Sequence, residues 1–133
     1  MRSGKAEHLP ILDASDTARE GTVLSKAVVR AAEFLEISDK ALAKTLGLSA
    51  ASISRMKRGT YVLSPDSKPF ELGQLFVRLF RSLDAITGSD DAASRSWLQG
   101  RNTVLNGRPI DLIQSLTGLT AVLFYVDSRR APL

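Results

Sequence analysis

The segment Asp39–Gly59 constrains the fold more than any other part of the chain, because its spacing predicts two short helices joined by a tight turn. Ala43 is small enough for a close helix approach, and Gly47 can take the positive φ that ends the first helix. Ser38 and Ser49 stand where the helix N-caps belong. The packed side of the pair is predicted to consist of Leu42, Leu46, Leu48, Ile53 and Met56. Such a pair presents its second helix outward.

The outward side of that second helix is small, hydroxylic and cationic. With Ile53 directed into the core, a rotation of about 100° per residue turns Arg55 and Arg58 away from it. Arg55 can bind a guanine edge through its two-pronged guanidinium, and Ser54 can contact a base or a phosphate. The lysines and Arg58 are expected at phosphates. The predicted DNA-binding residues are Lys40, Lys44, Ser49, Ala51, Ser52, Ser54, Arg55, Lys57 and Arg58.

The charge of this segment agrees with DNA binding. Between Asp39 and Gly59 the chain has five Lys or Arg residues and one acidic residue, so most of its net charge of +4 lies here. Basic surfaces attract polyanions, although charge runs also commonly face water and do nothing more. The segment resembles the helix-turn-helix of the Xre/Cro repressor superfamily, whose members carry a similar ALA…LG.S…ISR…G pattern. The resemblance implies that the second helix binds DNA.

Composition narrows the class of protein. A chain of 133 residues can hold one domain, or two small helical units that share a core. The absence of cysteine excludes disulfides and thiolate metal sites. No apolar run is long enough for a membrane span, and no signal peptide is evident, so we expect a cytoplasmic protein without membrane contact. The single His8 has no catalytic neighbours. We expect no enzyme activity, no cofactor and no metal.

The N-terminal half is predicted to be an arm followed by a three-helix head. Residues 1–21 are polar and are predicted to form a mobile arm, because Gly4, Pro10 and Gly21 interrupt any helical periodicity. A helix is predicted from Thr22, with a buried stripe of Val23, Ala27, Ala31, Phe34 and Leu35. Together with the helix pair it forms a DNA-binding head at residues 22–68, which ends in a linker.

Residues 69–133 are predicted to form a helical domain that dimerises and binds a partner, which makes the whole chain all-α. Pro69 suits the first turn of a long apolar helix that Gly88 ends. This helix is the central post of the protein, part of a dimer interface, or both. We predict a shorter helix over 90–98, capped by Ser89, and another from Pro109 that stops at Gly118. The last apolar segment, 119–126, is predicted to be helical, although its composition also suits a strand.

The same half carries a second pattern, WL…N..L.G..P.DLI….G…V. It is formed by Trp97, Leu98, Asn102, Leu105, Gly107, Pro109, Asp111, Leu112, Ile113, Gly118 and Val122. The pattern resembles the toxin-binding domain of the Xre/MbcA/ParS antitoxins, which follows an Xre-like head in that family. The two resemblances cover about four fifths of the chain. Gly100 departs from the family, many of whose members carry proline at this point.

The resemblance implies an antitoxin of a type II toxin–antitoxin pair. Its usual partner is a RES-domain toxin that depletes NAD, which the antitoxin would hold inactive. The head would repress the operon by binding double-stranded operator DNA, and a homodimer is expected because two-fold operators mirror two-fold proteins. Two alternatives remain. One is a stand-alone repressor whose C-terminal half only dimerises or binds an effector, and the other is an interaction module whose head has lost DNA binding.

The end of the chain is the predicted toxin-binding site. We hypothesise that the segment from Tyr125 to Leu133 is a short protruding end that covers the entrance of the toxin's active site. Arg129 and Arg130 would then meet acidic groups at that entrance. A solvated basic tail is the alternative. The predicted toxin-binding residues are Tyr125, Asp127, Ser128, Arg129, Arg130 and Leu133.

Overall fold

The computed structural model describes residues 14–130, so that the predictions for His8, for most of the N-terminal arm and for Leu133 lie outside the described residues. Seven helices follow one another in this range: α1 (Ala14–Leu35), α2 (Asp39–Leu46), α3 (Ala50–Lys57), α4 (Lys68–Thr87), α5 (Asp91–Gln99), α6 (Pro109–Leu112) and α7 (Leu116–Arg130). The only β pairing in it is an isolated bridge between Asn102 and Gly107. The prediction of an all-α fold is confirmed.

The helix-turn-helix forms as its local sequence predicts. The Ser38 hydroxyl accepts a hydrogen bond from the Ala41 backbone N–H, and the Ser49 hydroxyl accepts one from the Ser52 N–H. These bonds satisfy donors that a helix start leaves without an intrahelical partner. Gly47 ends α2 with φ of 71°, a left-handed conformation that costs other residues more than it costs glycine. Both predicted caps and the predicted turn are confirmed.

Helix α4 is the central post of the protein. The Ser67 hydroxyl caps its start, and Gly88 ends it with φ of 64°. It packs against α1, α2, α5 and α7. Phe76 and Leu79 on this helix are fully buried. The prediction of a central post is confirmed, whereas a role of α4 in dimerisation stays a prediction.

A single core runs through both halves of the chain. Its fully buried side chains come from the head and from the C-terminal helices alike: Leu42, Leu46, Ile53, Leu63, Phe76, Leu79, Leu98, Ile113, Leu119 and Val122. A single core is compatible with both arrangements that the chain length allows, one domain or two helical units that share a core. Within residues 14–130, no helix combines the length and the apolar character that a membrane span requires.

Helix α1 begins earlier than predicted. It starts at Ala14, so the predictions of a mobile arm up to residue 21 and of a helix start at Thr22 are wrong for residues 14–21. Gly21 does not interrupt the helix but lets it approach the Leu63 carbonyl, because a Cβ at Gly21 would lie 2.4 Å from that oxygen. Val23 and Phe34 also depart from the predicted buried stripe, since they are 61% and 40% exposed. The predicted Ala27 is half-buried, and the buried apolar side chains of α1 are Val28, Ala31, Ala32 and Leu35.

Two helix boundaries in the C-terminal half also differ from the predictions. The carboxylate of Asp90, not Ser89, caps α5 by accepting from the Ala93 N–H. The helix predicted from Pro109 to Gly118 is divided between two helices, because the helical conformation is interrupted between Leu112 and Leu116. Gly118 lies in the first turn of α7 and ends no helix. The last apolar segment is helical, as predicted.

Candidate DNA-binding and toxin-binding sites

Helix α3 is held by its apolar side and exposes its polar side. Ile53 and Met56 are buried, and the helix packs on α2 and α1. Arg55 and Arg58 are exposed on the other side, and Ser54 is half-buried. The remaining predicted contact residues of this region are exposed or half-buried: Lys40, Lys44, Ser49, Ala51, Ser52 and Lys57. The structure thus brings the predicted DNA-binding residues to the outer surface of the helix pair.

Arg55 is positioned by two neighbours. One terminal nitrogen, Nη2, donates to the Ser52 hydroxyl at 3.2 Å, and the guanidinium carbon lies 5.9 Å from the centre of the Tyr61 ring. The chain after α3 is tied back to the helix, since the Arg55 carbonyl accepts from both the N–H and the hydroxyl of Thr60. A cation above an aromatic face is attracted by the ring quadrupole. Ser52 and Tyr61 therefore both restrict the position of the Arg55 guanidinium.

Sequence reasoning missed Tyr61. The residue lies in the segment after α3, which the sequence predicts only to be a linker. The feature that could have indicated it is an aromatic residue two positions after Gly59, whose φ of 80° turns the chain back toward the helix. A linker that reverses at once must pass beside the end of the helix it leaves.

The other cations of the helix pair differ in how they are held. Arg58 donates from Nη1 to the Ser54 hydroxyl at 2.8 Å, so that oxygen accepts while its own proton can still be donated to a base. Lys57 forms an ion pair with Asp39, which links the end of α3 to the start of α2. Lys40 and Lys44 are exposed one turn apart on α2. The positive charge that faces solvent is therefore carried mainly by Arg55, Arg58, Lys40 and Lys44.

The predicted toxin-binding segment is anchored to the central helix. Asp127 accepts from Arg78 Nη2 and from the Ser82 hydroxyl, both at 2.7 Å. Ser82 is fully buried and also accepts from Arg130 Nη1 at 3.1 Å. The prediction of a protruding end is therefore wrong up to Arg130, because these residues form the last turns of α7 on α4. Sequence reasoning missed the anchoring role of Arg78 and Ser82.

Two family models match the chain. Residues 14–78 match the antitoxin Xre-like helix-turn-helix domain, and residues 82–131 match the antitoxin Xre/MbcA/ParS C-terminal toxin-binding domain. The protein belongs to the Xre-family antitoxins. No curated protein matches the chain significantly.

Both matches agree with the structure of this antitoxin. The first begins at Ala14, where α1 begins, and the second covers α5, α6 and α7. The antitoxin thus combines a DNA-binding helix-turn-helix with a domain that binds a toxin protein. Neither matched family is enzymatic.

Three side chains form a stack at the edge of the antitoxin's toxin-binding domain. Trp97 of α5 lies parallel to Tyr125 of α7, with ring centres 6.2 Å apart. The Arg129 guanidinium lies over Tyr125 at 5.2 Å. The Ser128 hydroxyl donates to the Tyr125 carbonyl. Trp97 is half-buried and joins two helices, as expected of an anchor, and Arg129 is the exposed end of the stack.

Proposed function

We propose that this antitoxin binds and neutralises a RES-domain toxin that degrades NAD, and that it represses its own operon as a cytoplasmic homodimer. The observation that carries the proposal is the presence of an exposed cationic α3 and a matched toxin-binding domain in one chain. The RES identity of the partner rests on the resemblance of the WL…N..L.G..P.DLI pattern to the antitoxins that usually pair with such toxins.

For the DNA half of the proposal, α3 is the helix that would enter the major groove. Its short outward side chains, Ala51 and Ser52, allow a close approach to the groove floor. Arg55 and Ser54 are the proposed base contacts, and Arg58, Lys57, Lys40 and Lys44 are the proposed phosphate contacts. To contact a phosphate, Lys57 would either leave its ion pair with Asp39 or bind the phosphate and Asp39 at the same time. One head of this size contacts only one half-site of an operator, so a homodimer is proposed to bind both half-sites.

For the toxin half, the proposed contact region is the end of the chain. Asp127 and Arg130 already have partners on α4, so they are proposed to set the direction of α7. Arg129, Ser128 and the residues that follow the helix are then proposed to reach the toxin. The Tyr125 ring would position Arg129 through the cation–π contact between them. A cationic group at this point suits an acidic rim around a pocket that binds a phosphate-bearing cofactor.

Co-expression with the adjacent reading frame tests the proposal. The neighbouring product alone should arrest growth and lower cellular NAD, and this protein should restore both and copurify with the product. The purified complex should shift a fragment of its own promoter and should not shift a scrambled fragment of equal length. Promoter binding without copurification or rescue would instead favour a stand-alone repressor. Failure of both assays would reject the proposal.

A further inference from the structure

The outward face of α7 is uncharged, although it points to solvent. We define this α7 outward face by five exposed residues: Thr117, Thr120, Ala121, Phe124 and Ser128. Phe124 is 80% exposed. No charged residue occurs from Leu116 to Val126, which is most of the helix. An uncharged helix face that exposes a large aromatic ring is typical of an interaction site, so this face indicates a partner.

Two of the three hydroxyl groups of the face, those of Thr120 and Ser128, donate hydrogen bonds within the helix. Thr120 Oγ1 donates to the carbonyls of Leu116 and Thr117, at 3.1 and 2.9 Å. Ser128 Oγ donates to the Tyr125 carbonyl at 2.7 Å. These back-bonds leave methyl and methylene groups facing outward. A partner can therefore cover Thr120 and Ser128 without accepting hydrogen bonds from them.

The Phe124 side chain does not take part in the core of this chain. Helix α7 packs on α4 and α6 through its opposite side, where Leu119, Val122 and Val126 are buried. The small residues Thr117 and Ala121 lie two turns and one turn before Phe124, respectively, along the same face. The result is a single aromatic ring that projects from a smooth, narrow surface, which suits insertion into an apolar pocket.

We infer that the α7 outward face is the docking surface for the toxin, with Phe124 inserted into an apolar pocket of that protein. The inference rests on the proposed function and identifies a contact surface in addition to the end of the chain. The uncharged face offers no attraction to DNA phosphates, so its partner is a protein. It lies within residues 82–131, the part that matches a toxin-binding domain. The DNA-binding helix α3 packs elsewhere, on α1 and α2, so both partners have separate surfaces.

The test compares Phe124→Ala with Val23→Ala in the full chain. Val23 is a matched control because it is a large apolar residue, 61% exposed, on α1 and outside the matched toxin-binding domain. The probe is the purified product of the adjacent reading frame, and binding is measured by titration. We expect Phe124→Ala to weaken toxin binding by about 30-fold or more, the factor typical of an aromatic hot spot. Val23→Ala should stay within about threefold of the wild type.

Each result of the titration is decisive. Promoter binding and thermal unfolding should be unchanged in Phe124→Ala, because the ring contributes little to the core. Equal toxin affinity for Phe124→Ala and wild type would overturn the inference and leave the proposed function intact. If Phe124→Ala sediments differently from the wild type in the absence of toxin but binds the toxin with the same affinity, the inference would be overturned. That result would indicate that a second copy of the antitoxin covers this face. A wild type that does not bind the toxin would reject the proposed function and the inference with it.

Discussion

At the scale of single residues, the position of Arg55 depends on its neighbours as much as on its own chemistry. Its guanidinium is placed by a hydroxyl on the same helix and by an aromatic ring beyond the turn. A long side chain that is already ordered loses less rotamer entropy on binding. Tyr61 is therefore expected to increase operator affinity without touching a base.

A double-mutant cycle on Arg55 and Tyr61 tests this positioning role. Arg55→Ala should cost ~1–3 kcal/mol of operator binding and relax the preference at one base pair. Tyr61→Ala should cost ~0.5–1 kcal/mol, as a surface cation–π contact does. In the Arg55→Ala background, Tyr61→Ala should have no further effect. Fluorescence anisotropy with a promoter fragment measures all four affinities.

The conservative variant Tyr61→Phe is the control. It retains the ring and should bind the operator like the wild type. Additive losses in the double variant would show that Tyr61 acts independently of Arg55, and the positioning role would be rejected.

At the scale of elements, boundaries were decided by contacts between helices. Gly118 looked like a helix stop because glycine often follows a helix C-terminus. Instead, the Ser115 hydroxyl caps α7 by accepting from the Gly118 N–H at 3.1 Å. A Cβ at Gly118 would lie 1.9 Å from the Leu112 carbonyl oxygen, so glycine is required by the close passage of two backbones.

Gly118→Ala should therefore destabilise the protein despite the better helix propensity of alanine. That propensity is worth up to ~1 kcal/mol, whereas overpacking against a backbone atom typically costs ~1–3 kcal/mol. We expect a net loss, seen as a lower midpoint of urea unfolding. Thr117→Ala, at the exposed neighbouring position, should change the midpoint little. A Gly118→Ala variant as stable as the wild type would contradict the close backbone passage.

At the scale of the whole molecule, the DNA-binding head and the toxin-binding domain are not independent bodies. Helix α4 packs on α1 and α2 of the head and on α5 and α7 of the C-terminal half. The Arg95 side chain adds a polar link, because it donates from Nη1 to the Phe34 carbonyl at 2.9 Å. A core shared in this way predicts cooperative unfolding of the entire chain.

Unfolding in urea should accordingly show one transition. The single Trp97 reports on the C-terminal half, and far-UV circular dichroism reports on all helices. The urea midpoints measured by Trp97 fluorescence and by circular dichroism should coincide, because loss of α4 packing disrupts the core of both halves together. Loss of Trp97 packing at a clearly lower urea concentration than the loss of helicity would contradict this prediction.

The sequence alone determined the features that arise from neighbours along the chain. The all-α class, the caps at Ser38 and Ser49, the turn at Gly47 and the exposure of Arg55 follow from helical periodicity and from local hydrogen bonds. The tertiary structure decided the rest. The start of α1 and the roles of Gly21 and Gly118 depend on how closely distant segments pass each other, and the anchoring of Asp127 depends on a helix about fifty positions earlier. Periodicity cannot reveal such contacts, because they arise only when the shared core brings the helices together.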